Sequence, residues 1–344
     1  MADIIIRGGY VVTMDVDIPD LPQGDVYIHD DRIVEVADHI DVSGAEVIDA
    51  RGCVVTPGFI DGHRHVWCGL LRGARKADWG NWTLPEYMVE ARSMYCGCFG
   101  ADDEYVANYF GGLESLNAGI TSVVDHSHLQ KSPDVSDALA RGLKDSGVGG
   151  FFCYSLQNVP NFVDNGSPDP DAIRDLLMRA PDAWHDEAAA HIRAAYFLNG
   201  PLRFGVALPE STAYVPSDVA KSFLARAAAL KPELVTCHWD AMQQGGEYAS
   251  TLVELAPAFP SATLLSHCNH LNDADLTLMA NSGIGLCTCP DTESGMGLGP
   301  MPGRRLTELG GAASLGCDIT CLVQADMLKQ ARAYLQAEEI ARCR

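Results

Sequence analysis

The chain has 344 residues, 47% of them apolar and 20% charged, which is a globular composition and exceeds a usual single core, although an α/β barrel uses that length as one domain. Its formal charge of −22 repels nucleic acid and anionic membranes and excludes both as expected partners. No run approaches the ~20 apolar residues of a membrane span. The opening MADIIIRGGYVV lacks the pattern of a signal peptide, and twelve cysteines scattered without framework spacing read as reduced thiols of a cytoplasmic protein.

Residues 1–56 read as a small all-β domain. DIIIRGGYVVTMD, DVYIHDDRIVEVA and AEVIDARGCVV are β-rich runs separated by Gly, Asp-Asp and Pro-containing breaks. Residues 57–344 form the second domain, in which short apolar runs alternate with helical patterns. Eight such runs stand out: VVTPGFID (54–61), GITSVVD (119–125), GVGGFFCYSL (147–156), LRFGVALP (202–209), LVTCHW (234–239), TLLSHC (263–268), GIGLCTCP (283–290) and ASLGCD (313–318). Between the first two, Val106, Tyr109, Phe110, Leu113 and Leu116 form one apolar stripe of an amphipathic helix, with acids in its first turn and Gly119 past its end. SDVAKSFLARAAAL is a helix with Ser217 as its expected N-cap. The last segment is helical from Asp326, with Met327, Leu328, Ala331, Tyr334 and Leu335 on one face.

Eight strands interleaved with helices predict a (β/α)8 TIM barrel, whose chemistry gathers at the C-terminal ends of the strands. A doubly wound open sheet is the competing fold, but no Gly-rich phosphate loop follows the first strand. The barrel puts His63 and His65 at the end of strand one, His238 at strand five, His267 at strand six and Asp318 at strand eight. Strand alternation turns His63 and His65 to one side and Arg64 to the other. It also turns Cys237, Cys268 and Cys317 toward the helices, as packing residues. Any one of these histidines is ordinarily a hydrogen-bonded surface or core residue, and a lone Asp after a strand is ordinarily a helix cap. Five at barrel mouths point to a shared metal site. Imidazole and carboxylate ligands suit zinc, iron(II) or manganese, with zinc the default for three histidines.

PGFIDGHRHVW, GITSVVDH, VTCHWD, LLSHCNHL, CPDTESGMGLGPMP and SLGCDIT followed by DMLKQARAYLQ resemble the metal-dependent amidohydrolase superfamily. The closest branch holds chlorotriazine hydrolases and cytosine and guanine deaminases. The six motifs occur in that family's order and cover nearly the whole chain. The resemblance implies that His63, His65 and His238 bind one divalent metal with Asp318 as fourth ligand, and that His267 hydrogen-bonds the activated water or the substrate. Two-metal members carry a carboxylated lysine at strand four; here that strand ends ALPE, so one metal is expected. Asp318 is then placed to accept the water's proton and pass it to the leaving group.

One departure concerns the acid that protonates a ring nitrogen in deaminase-type relatives. They carry a glutamate three residues after the strand-five histidine, where this chain has Ala241; Asp240 and Glu210 are the candidate substitutes. Substrates that need no ring protonation therefore gain weight. Trp67, Trp79, Trp82 and Trp239 are candidates for stacking on a flat ring, and Arg72 for meeting a substrate anion. His126 is expected to line the pocket, His128 to be solvated and His270 to be structural. Relatives also continue past the eighth helix to complete the β unit; the sequence here is expected to be either a natural short form, whose open sheet edges a homo-oligomer would relieve, or a truncated one. The expected function is metal-dependent hydrolysis of a C–N bond in a small, cyclic substrate. The alternatives are a metal-dependent decarboxylase or other lyase on the same barrel, and a non-catalytic scaffold protein.

Overall fold

The computed structural model describes residues 3–74, 82–160, 169–239 and 249–343. Contacts divide the chain into two compact units, Met1–Gly58 and Phe59–Arg344. In the first, strands β1 (Asp3–Val11), β2 (Leu21–His29), β3 (Arg32–Ala37) and β4 (Glu46–Asp49) form a sheet in the order β3-β2-β1-β4, and β5 (Val54–Val55) also pairs with β1. The run DVYIHDDRIVEVA is a hairpin that turns at Asp30, whose φ of 54° a short polar side chain tolerates. Buried Asp25 ties the unit together by accepting from the backbone N–H groups of Gly8 and Ile40.

The second unit holds eight parallel strands in chain order: β6 (Phe59–Arg64), β7 (Ile120–Ser127), β8 (Gly149–Ser155), β9 (Leu202–Ala207), β10 (Leu234–Trp239), β11 (Thr263–His267), β12 (Gly285–Thr288) and β13 (Ala313–Leu315). The ring closes just past β13. His65 N–H donates to Asp318 O at 3.0 Å, and Asp318 N–H donates to His63 O at 2.9 Å. Gly316 permits this approach, since a Cβ there would stand 2.6 Å from the His63 carbonyl oxygen. This is the expected barrel.

Three local readings need correction. The first run, 54–61, is two elements: Val54–Val55 joins the small sheet and the barrel strand starts at Phe59, because Pro57 has no N–H to offer a ladder. Ser217 is the first helical residue of Ser217–Ala229, with Pro216 in the cap position, so its hydroxyl makes no cap bond. In the helix Ala101–Asn117 the apolar stripe faces outward: Val106, Tyr109, Phe110, Leu113 and Leu116 are all exposed. The inward face carries Ala107, Asn108, Gly111, Gly112 and Ser115. Small residues let that helix press onto the 66–71 segment, where a Cβ on Gly111 would lie 2.6 Å from Val66. Close backbone approach has won over the burial of large side chains. In the C-terminal helix Met327–Arg342, Met327 is buried while Leu328 and Leu335 stay exposed; Asp326 caps it by accepting from the N–H groups of Leu328 and Lys329. Among the described residues no helix is long and apolar enough to cross a membrane.

Candidate active site

The strand ends bring four side chains to one point. His238 Nε2 lies 3.2 Å from the Nε2 atoms of both His63 and His65. Asp318 Oδ1 lies 3.4 Å from His63 Nε2 and 3.3 Å from His65 Nε2. Donors about 2.0–2.1 Å from a tetrahedral zinc ion stand about 3.3–3.4 Å apart, so the cage has the dimensions of a divalent-metal site. Arg64, between the two histidines, points away to Glu114 and Ser115, as alternation requires.

Each imidazole is held from behind. Ser266 Oγ lies 2.9 Å from His63 Nδ1, the His126 carbonyl oxygen 2.8 Å from His65 Nδ1, and Glu210 Oε1 3.3 Å from His238 Nδ1. Such outer partners fix the ring orientation and leave the inner nitrogen free for a ligand. His267 sits beside this cage, its ring 5.3 Å from that of His63 and stacked on His238 at 5.4 Å. Its Nδ1 is 3.1 Å from Glu293 Oε1. His267, Cys268 and Asp318 all have φ between 56° and 74°. Left-handed backbone at non-glycine residues costs on the order of 1–3 kcal/mol each and gathers where the surroundings enforce it, commonly at functional sites.

The profile of the Amidohydrolase family matches residues 54–341. The chain belongs to the amidohydrolase family. It is therefore a hydrolase of carbon–nitrogen bonds other than peptide bonds. The chain is 27% identical over 333 residues to a 5′-deoxyadenosine deaminase of Methanosarcina mazei, covering 92% of this chain and 69% of that protein. It is 26% identical over 340 residues to a 5-methylthioadenosine/S-adenosylhomocysteine deaminase of Symbiobacterium thermophilum, covering 92% and 70%. Among solved structures, the guanine deaminase of C. acetobutylicum superposes with a TM-score of 0.75 at 17% identity, over 98% of this chain and 80% of that one. An adenosine deaminase from Xanthomonas campestris with bound zinc gives 0.75 at 18%, over 99% and 75%. At those identities the two structures speak for the fold alone.

Burial sets the electrostatics of this amidohydrolase's cage. It pushes the imidazolium of His63 well below its usual range and that of His238 down to about 4, so both rings are neutral with lone pairs to offer. Burial alone would raise the Asp318 carboxyl, but the His63 and His65 nitrogens against it hold it well below the usual carboxylate range. His267 runs the other way. Burial opposes its charge, yet Glu293 and the nearby Asp318 outweigh that and raise it.

The cage opens into a cleft of about 640 Å³, its mouth included. Leu84, Tyr87, Met88, Met296 and Leu298 give it apolar walls, and Arg92 and Glu210 form a buried ion pair at one side. Burial would raise Glu210, but the Arg92 charge dominates and keeps it far below the carboxylate range. The tryptophans lie elsewhere. Trp67 is buried and donates to His128 Nδ1 at 3.0 Å; Trp82 is buried and donates to Glu90 at 2.8 Å; Trp239 packs against Phe259. None of the three lines the cleft. Trp79, Asp240 and Ala241 lie outside the described residues. Arg72 donates to the Thr320 carbonyl oxygen and pairs with Glu114, which occupies it within the protein. The expectations for His126 and His128 are reversed. His128 is buried, stacks on His65 at 3.9 Å and lines the cleft, whereas His126 is sealed beneath the cage. The segment carrying Trp67 covers His128, whose Nδ1 accepts from the Trp67 indole.

Glu293, Arg92 and Ser266 escaped the sequence reading. Glu293 follows Cys-Pro in the first turn of Pro290–Met296, where an acid reads as dipole complement. Arg92 sits on the π-helix Tyr87–Tyr95; π-helical segments are frequent at functional sites, but no sequence pattern announces them.

Proposed function

We propose that this amidohydrolase holds one zinc ion on His63, His65, His238 and Asp318 and hydrolytically removes an amino substituent from a small, nitrogen-containing ring. The observation that carries this reading is the four-donor cage, in which His238 and Asp318 each stand 3.2–3.4 Å from the Nε2 atoms of His63 and His65, at the floor of an apolar cleft. The ion, when bound, supplies the Lewis acidity that makes water a nucleophile near neutral pH. Asp318, held ionised, accepts the nucleophile's proton and returns it to the leaving amine. His267, oriented by Glu293, stabilises negative charge that develops at the attacked centre. The apolar walls receive a flat ring. That the curated relatives are deaminases of adenosine derivatives supports an aminated heterocycle as substrate. Glu210 is committed as an anion to Arg92 and His238 and is a poor proton donor. The reading therefore favours rings activated enough to need no separate acid.

Two further properties belong to the same proposal. The twelve cysteines are all free thiols, which supports a reducing, cytoplasmic setting. The exposed stripe on Ala101–Asn117 supports a homo-oligomer with a second copy of the chain as its occupant. Val106, Tyr109, Leu113 and Leu116 follow a 3-4-3 spacing, the seam along which two like helices interlock. With Phe110 they offer roughly 400 Å² of apolar surface, taking whole side chains as on the order of 150–250 Å². A stable interface of about 800 Å² per partner is a little over half apolar, so the stripe matches that core.

The test is ammonia release from zinc-loaded protein offered aminated purines, pyrimidines and triazines. Turnover of at least one, reduced about 10²–10⁴-fold in Asp318→Asn, is expected. No turnover of any of them by protein that demonstrably holds metal would overturn the reading.

A further inference from the structure

His126 is fully buried, and neither of its ring nitrogens has a hydrogen-bond partner. A neutral imidazole carries one donor and one acceptor, and leaving either unmet in the interior is costly. Other buried histidines of this site make the bonds that His126 lacks: His128 accepts from Trp67, and His63, His65 and His238 each have a partner at Nδ1. The unmet nitrogens of His126 stand next to the cage. A ring nitrogen of His126 lies within 4.8 Å of those of His63 and His238. Its ring centre is 5.6 Å from His63, 5.4 Å from His65 and 4.1 Å from His238, against 4.9, 4.9 and 5.1 Å among those three. The His126 ring thus stacks on that of His238 and stands about as far from the three cage rings as they stand from one another. The backbone of His126 is already committed to the cage, since its carbonyl oxygen holds His65.

We infer that His126 is a fifth protein ligand, which makes the site four imidazoles and one carboxylate. The inference rests on the metal reading above and adds to it. Histidine 126 closes the cage from the barrel interior, the side opposite the cleft, because it is sealed from solvent and does not line the cleft wall. Substrate and water then approach only from the cleft. A nitrogen-rich set of five donors suits ions that accept five or six ligands, such as cobalt(II), nickel(II) or iron(II), as readily as zinc.

The experiment uses the full chain labelled with ¹⁵N-histidine, titrated with zinc(II) and followed by the ring-nitrogen resonances. Four imidazoles moving to metal-bound positions at one equivalent are expected; three moving, with His126 unchanged, would overturn the inference while leaving the hydrolase reading intact. A wild type that takes up no metal would overturn both. In parallel, His126→Phe keeps a ring in the space and is expected to lose zinc to a competing chelator at least tenfold more readily. An affinity within twofold of wild type would also overturn the assignment. The wild-type titration decides the question even where the variant folds poorly.

Discussion

Glu293 illustrates how one buried acid can set the chemistry of another residue. Its Oε1 meets His267 Nδ1 at 3.1 Å, and the same atom accepts from the backbone of Cys289 at 2.7 Å. Its second oxygen accepts from Asn269 at 3.0 Å. The carboxylate is thus fixed on both sides and dictates the orientation of His267. Glu293→Gln should lower kcat by about 10–100-fold, the usual cost of losing an outer partner, and leave KM nearly unmoved because Glu293 does not line the cleft. Steady-state kinetics on any turned-over substrate checks this; a KM rise with constant kcat would assign Glu293 to binding instead. At this scale the sequence revealed what periodicity governs. Alternation along a strand made His63 and His65 neighbours and sent Arg64 to Glu114. It could not reveal Glu293 or Arg92, because their roles depend on loops and a π-helix that no spacing encodes. The tryptophans misled for a related reason: nearness in sequence to a motif says nothing of which side of the chain a large ring takes.

Among the elements, the helix Ala101–Asn117 departs most from simple reading. Amphipathic pattern named the stripe, but it faces outward rather than into the barrel, since the small residues opposite allow a closer fit than large ones would. The stripe is thereby free for a partner. Phe110→Glu, or Leu113→Glu, should convert a dimer into monomers without unfolding either, as measured by light scattering across a range of concentrations. An unchanged mass would dismiss the interface. The same helix buries Glu104, whose two oxygens have no partner; burial raises its carboxyl well above the usual range, against the pull of Lys131. The unfolded chain then loses this proton first. Over the interval between the ordinary and the raised value the folded state holds one more proton, so stability falls as pH rises. The slope approaches 1.4 kcal/mol per pH unit at its steepest. Glu104→Gln should flatten that part of the profile, and urea unfolding at several pH values between 5 and 8 measures it; an unchanged slope would mean that Glu104 is not its source.

For the whole barrel, the proposed metal cage and the closure of the fold share the same residues. The first and eighth strands meet through the backbone of His63, His65 and Asp318, and the side chains of those three residues, with His238 across the barrel, supply the donors. An ion bound there links β6, β10 and the segment after β13, strands far apart in sequence. The unfolded chain cannot present these donors together, so binding favours the folded state by RT ln(1 + [L]/Kd), about 2.7 kcal/mol at a hundredfold excess over Kd. For a chain of this size that is a rise of about 4 °C in Tm. Wild type stripped by a chelator and reloaded with zinc should lose and regain that increment in a thermal scan, while His63→Ala should show neither change. A wild type equally stable with and without metal would separate the cage from the closure, leaving the backbone bonds between His65 and Asp318 to hold the barrel shut unaided.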